Sequence, residues 1–189
     1  MPDSTRPSPG WWEGATHIYP VRVYYEDTDA GGIVYHANYL RFAERARNEM
    51  LRLAGFPHAA MVADTGVALA VRRCSIDFRQ PARLDDALEV LTRIVDIGAA
   101  TVDIEQDVLR SEGLAWGGVA AETGAQPLVR INLCLAAINV QGRPVRLPSA
   151  LRVVLKNGLP PAERAVVENG LPPAERAVVE NGLSRQGQD

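Results

Sequence analysis

The sequence predicts an α+β fold in which one long amphipathic helix packs on an antiparallel sheet of about five strands. Three observations carry this expectation. A single segment, residues 38–54, sustains a helical period; five others have the length and alternation of strands; and Gly98 marks a tight turn between two of them, which makes that pair a hairpin.

Each element follows from its residues. The first 17, MPDSTRPSPGWWEGATH, are rich in Pro, Gly, Ser and Thr and show no period, so they are expected to form a flexible extension that Trp11 and Trp12 could dock on the body. Over 18–25, Val21, Val23 and Tyr25 alternate with Arg22 and Tyr24 as in a half-buried strand, with Pro20 expected near its start. In NYLRFAERARNEMLRLA, Tyr39, Phe42, Ala43, Ala46, Met50 and Leu53 fall on one helical face, while Arg41, Glu44, Arg45, Asn48 and Arg52 lie largely opposite. Asn38 can cap this helix, Gly55 can end it, and Pro57 is expected to prevent its resumption. Seventeen residues at ~1.5 Å each make a rod of about 25 Å, long enough to cross several strands. His58 and Met61 then read as loop or lining residues.

Further strands are expected at 67–79, 86–97, 100–110 and 128–139. The clearest is TVDIEQDVLR, where Val102, Ile104 and Val108 alternate with Asp103, Glu105 and Asp107 and so predict one wet face. Residues 112–127, with four glycines, read as a loop insertion. NGLPPAERAVVE occurs at 157–168 and again at 169–180. Two copies are too few for a solenoid, which needs about three stacked repeats, so a duplicated tail without chemistry is expected. The organisation is an extension 1–17, a domain 18–155 and a tail 156–189.

Composition excludes several classes. The chain has 189 residues, 47% apolar and 23% charged, with a formal net charge of −3, so no global field gathers nucleic acid or anionic lipid. No apolar run approaches the ~20 residues of a membrane span and no signal pattern opens the chain, so stable membrane insertion is not expected and the expected compartment is the cytoplasm. Cys74 and Cys134 sit inside apolar segments and read as buried structural thiols. Three scattered histidines predict no metal site, and no cofactor is expected.

Chemistry concentrates in EDTDAGGIVYHAN, residues 26–38, where three acidic groups, two glycines and a histidine occupy one strand-to-helix connection. Residue types alone leave two readings open: Asp27 and Asp29 brace turn amides while Gly31 and Gly32 supply positive φ, or the loop is a reaction site. The order of the residues favours the second. VRVYYEDTDAGGIVYHANYLRFAERARNEMLR, residues 21–52, closely resembles the signature of hotdog-fold acyl-CoA thioesterases associated with the Tol-Pal system, relatives of the 4-hydroxybenzoyl-CoA thioesterases. Weaker similarity continues through CSIDFRQPARLDDALEV to about Arg152; the extension, the loop insertion and the tail depart from the pattern.

The resemblance implies a hotdog fold, hydrolysis of short-chain or aromatic acyl-CoA, with acyl carrier protein thioesters also possible substrates, and a homodimer or homotetramer with sites between subunits. It makes Asp29 the catalytic carboxylate and sets His36 beside it. Asp29 would either activate a water or attack the thioester directly. Backbone around Gly31, Gly32 and Tyr35, with the helix start, would approach the thioester and receive the developing oxyanion. His36 would orient Asp29 or the water, protonate the thiolate, or fill the helix entry, the first being favoured. Arg72, Arg73, Arg79 and Arg83 form the densest basic run and would hold CoA phosphates or face solvent. Tyr25 and Tyr35 read as core more readily than as pocket walls, and Glu44, Arg45, Arg47 and Glu49 as helix-surface pairs, with reach of one of them into a partner's site as the alternative. Two other functions compete: a hotdog enoyl-CoA hydratase, and a non-catalytic acyl-thioester-binding or envelope scaffold.

Overall fold

In the computed structural model, which describes residues 9–111 and 126–157, nine elements follow one another. They are β1 (Trp11–Glu13), β2 (Thr16–Arg22), α1 (His36–Leu53), α2 (His58–Thr65), β3 (Ala68–Phe78), β4 (Ala87–Ile97), β5 (Thr101–Arg110), β6 (Val129–Ile138) and α3 (Ser149–Asn157). The strands make one antiparallel sheet in the order β1-β2-β4-β5-β6-β3, with α1 lying against β2 and β4. The wrapped-helix architecture is therefore the expected one, with six strands rather than five. The expectations for 1–8, for 112–125 and for the repeats beyond 157 lie outside the described residues.

The sheet face toward α1 and the helix's apolar stripe make the core. Phe42, Ala43, Ala46 and Met50 from α1 are buried, and the first three pack with Val21, Val90, Val108, Ile131 and Leu133 from the strands. At the last turn Leu51 and Ala54 are buried, while Leu53, expected on the stripe, is only half-buried. The opposite sheet face carries a small cluster, Ile18, Leu91 and Leu109 with Trp11, beside charges. Asp107 there is only 5% exposed: Arg130 Nε reaches its Oδ1 at 2.7 Å, and Arg93 also pairs with it. The wet face of β5 is thus covered by paired side chains.

Several local expectations are corrected. The flexible extension does not run to residue 17: Trp11 pairs with Ile18 and Trp12 with His17, so residues 11–17 form a hairpin at the sheet edge. Three residues are too few to show an alternation, which hid β1. Pro20 lies mid-strand, opposite Glu89, and is tolerated because β1 reaches only as far as Ile18 and leaves β2 locally an edge. The strand stops at Arg22 because Tyr25–Asp27 forms a 3-10 turn. Tyr25 is accordingly 82% exposed and Tyr35 46%, so neither is core.

Pro57 ends nothing for long: it precedes α2, whose Met61 is buried, so His58 and Met61 are helical rather than loop residues. Cys74 is exposed on β3, which lies at the sheet edge, while Cys134 is buried. The closing helix α3, unforeseen in the sequence, sends Leu151 and Leu155 into the core.

Candidate active site

The connection between β2 and α1 is held by Asp27. Its Oδ2 accepts the Tyr24 N–H at 2.9 Å, and its carbonyl accepts both the Tyr35 N–H and the Asn38 side-chain amide at 2.9 Å. Asp27 is 8% exposed, so its carboxylate works as a clamp. Asn38 serves the same clamp instead of capping the helix, which begins two residues earlier at His36.

Beyond this clamp the chain forms a small closed loop. Thr28 and Val34 make an isolated antiparallel bridge, Asp29 N–H donates to Ile33 O at 3.0 Å, and Gly32 N–H donates to Asp29 O at 2.9 Å. Gly32 takes φ +70°, a left-handed conformation that costs glycine little. Gly31 N–H donates to Asp29 Oδ1 at 2.8 Å, and a Cβ at Gly31 would stand 3.0 Å from that oxygen, so a larger residue would crowd the contact. Asp29 itself is exposed at the loop's tip region. Two aspartates two residues apart thus have opposite surroundings.

The oxyanion expectation is corrected in part. The N–H groups of Gly31, Gly32 and Tyr35 are already engaged, with Asp29 Oδ1, Asp29 O and Asp27 O. The first amides of α1, at His36 and Ala37, have no intrahelical acceptor, because helix geometry leaves the opening N–H groups unpaired. No hydrogen bond joins His36 to Asp29. The exposed His36 ring lies 4.4 Å from the Tyr35 ring and 6.3 Å, edge-on, from that of Phe78, measured between centroids.

The four arginines do not form one cluster. Arg72 sits at a β-bulge and Arg73 pairs across the sheet with Asp103 at 3.7 Å. Arg79 lies beyond the strand end, roughly 20 Å further at ~3.3 Å per residue, held by Asp77 at 2.8 Å. Only Arg79 and Arg83 fall on the stretch that abuts the acidic loop, where Val34 N–H donates to Ala82 O at 2.9 Å. On the helix, Arg47 is buried and pairs with Glu44 at 2.9 Å, and Arg52 with Glu49. Among the described residues no group of three or more His, Cys, Asp or Glu could hold a metal ion, and no helix is long and apolar enough to cross a membrane.

Phe78, whose ring faces that of His36, and the Tyr39 hydroxyl, which accepts the Ala82 N–H, adjoin this loop and were missed in the sequence. A signal existed for the second: a buried tyrosine needs a partner for its hydroxyl.

Comparison with known proteins agrees with the architecture. Residues 23–155 match the thioesterase-like superfamily. The acyl-CoA thioester hydrolase YbgC of Escherichia coli O6:H1 is 49% identical over 94 residues, half of this chain and 69% of that protein. The acyl-CoA thioesterase YbgC of Haemophilus influenzae is 47% identical over 93 residues, 49% of this chain and 68% of that protein. The crystal structure of a probable thioesterase from Bartonella henselae superposes with a TM-score of 0.62 at 36% identity, covering 71% of this chain and 100% of the other. A match spanning most of the chain, together with a helix wrapped by an antiparallel sheet, means that the chain belongs to the thioesterase-like superfamily and is a thioesterase of the hotdog fold.

Proposed function

We propose that the protein hydrolyses acyl-CoA thioesters to free acid and CoA, with Asp29 as the catalytic carboxylate. The observation that carries this reading is the contrast within one loop: Asp27 is consumed by the clamp, whereas Asp29 is exposed just ahead of the α1 N-terminus. Gly31 N–H engages Oδ1, which leaves Oδ2 for a water proton or for direct attack on the carbonyl carbon. Either way a C–O bond forms, the C–S bond breaks, and CoA departs as a thiolate, a good leaving group that hardly needs a proton; on the direct route water then cleaves the resulting acyl-Asp29 anhydride, which frees the acid and restores the carboxylate. Negative charge on the carbonyl oxygen is received by the His36 and Ala37 N–H groups at the positive end of α1.

His36 and Phe78 then border the acyl group, and Arg79 and Arg83, on the stretch that abuts the loop, would meet CoA phosphates, Arg79 by exchanging its Asp77 partner. Short-chain or aromatic acyl groups suit the resemblance of residues 21–52, which also suggests the Tol-Pal envelope system as the setting. A second copy completes the site: β3 is an eleven-residue edge strand whose Val71 and Phe78 are half exposed, and pairing it across a two-fold axis removes an open edge.

The test is release of free thiol from a panel of acyl-CoAs by wild type and Asp29→Asn. Activity that survives in Asp29→Asn sinks the assignment. Hydration of crotonyl-CoA without thiol release would mark a hydratase, and binding without turnover a scaffold.

A further inference from the structure

We infer that Tyr39 is the positioning residue of this site, setting the geometry of both Asp29 and His36 without touching substrate; the inference rests on the thioesterase reading above. Tyr39 is 3% exposed, and its ring is wedged edge-on against Phe42, itself fully buried, with centroids 6.1 Å apart. It therefore cannot swing, and burial pushes its phenol above the ordinary range, so the hydroxyl stays protonated.

From this fixed place two arms reach the loop. The first is polar. The hydroxyl oxygen accepts the Ala82 N–H at 2.8 Å, and the Ala82 carbonyl accepts the Val34 N–H at 2.9 Å. Val34 is bridged to Thr28, the residue before Asp29. A displacement of Ala82 is thus passed through Val34 to the base of the Asp29 loop. The second arm is aromatic: the Tyr39 ring lies 5.9 Å from that of Phe78, which lies 6.3 Å, edge-on, from that of His36. Residues 79–86 are otherwise mostly exposed, yet Ala82 is fully buried, as required of the point where the first arm is pinned.

Two substitutions separate the arms. Tyr39→Phe keeps the ring and deletes the hydroxyl; Phe78→Leu keeps the hydroxyl and cuts the ring contact with His36. Tyr39→Phe is expected to lower kcat about tenfold with KM changed less than about twofold, because a loop out of register misaligns the reacting groups rather than the bound substrate. Amide exchange of Val34 and Ala82, read residue by residue by NMR, should accelerate at least about tenfold. Phe78→Leu should lower kcat by a smaller factor and leave Val34 exchange unchanged. Leu91→Ala, a truncation in the small cluster on the opposite sheet face, serves as control and should leave kcat unaltered while lowering Tm.

An unchanged kcat in Tyr39→Phe, unchanged Val34 exchange, or an equal loss of kcat in Leu91→Ala overturns the positioning role. Wild type that releases no thiol from any acyl-CoA overturns the thioesterase reading instead, and Val34 exchange then decides alone whether Tyr39 holds the loop.

Discussion

Beneath the second half of α1, His17, Thr92 and Gln106 stand side by side on β2, β4 and β5, and Arg47 reaches down to them from the helix. At the other end of the same helix, Asp27, Asp29 and His36 stand on its entry loop. Both regions are built of polar and titratable groups. In the row under the helix all four residues are buried, and Gln106 is tied on three sides: to Arg47 at 2.7 Å, to Thr92 Oγ1 at 2.9 Å and to the Ala43 carbonyl at 3.0 Å. In the entry loop only Asp27 is treated that way, and Asp29 and His36 face solvent. The difference separates stability from chemistry. A group occupied on every side, as Gln106 is, fixes helix to sheet, whereas a group with an oxygen left over can act on a substrate.

The sharpest way to break this comparison is to change one group in each region and read both activity and stability. Asp29→Asn is expected to lose at least ~100-fold in kcat/KM, with its melting temperature close to wild type because it keeps the oxygen that meets Gly31. A large drop in melting temperature would place Asp29 with the braces. Gln106→Leu should do the reverse, costing about 2–3 kcal/mol in urea unfolding by leaving Arg47, Thr92 and the Ala43 carbonyl short of a partner, while folded enzyme keeps its kcat.

Acid sharpens the buried side further. His17 donates Nε2–H to the Pro9 carbonyl at 3.0 Å, and burial pulls its pKa down from 6.5 to about 4. The unfolded chain therefore takes up a proton that the folded chain refuses. Stability is complete above pH 6.5, falls as pH drops toward 4, and levels off below. Between pH 7 and pH 5.5 the loss from this group should be roughly 1–2 kcal/mol. Unfolding of His17→Phe across that range should lack this slope; an identical slope would assign it to other groups. The smallest effect is expected from His36→Ala, about a tenfold loss in kcat/KM or less, since His36 makes no hydrogen bond to Asp29 and its backbone N–H survives the change. A loss matching that of Asp29→Asn would give His36 an equal share in the chemistry.

Much of this was readable in the chain. The strands expected at 67–79, 86–97, 100–110 and 128–139 agree with β3, β4, β5 and β6 to within a residue, the alternation of TVDIEQDVLR and the turn at Gly98 being the plainest signals. The helix was equally plain from its stripe. The edge hairpin was not, since three residues of β1 carry no period and acquire their place only by pairing with β2. Nor was the split among the arginines, which run close in sequence but are spread along an extended strand and the turn after it.

The sequence by itself determined the long helix, the strands β3 to β6 and the residues of the acidic loop, because those depend on neighbours a few positions away. Tertiary structure alone decided which aspartate is spent and which is exposed, and which distant groups hold the loop. Tyr39 meets Ala82 across 43 positions and Gln106 meets Ala43 across 63. A hydrogen bond is a matter of angstroms in space, and at such separations only the closed fold brings its two ends within reach.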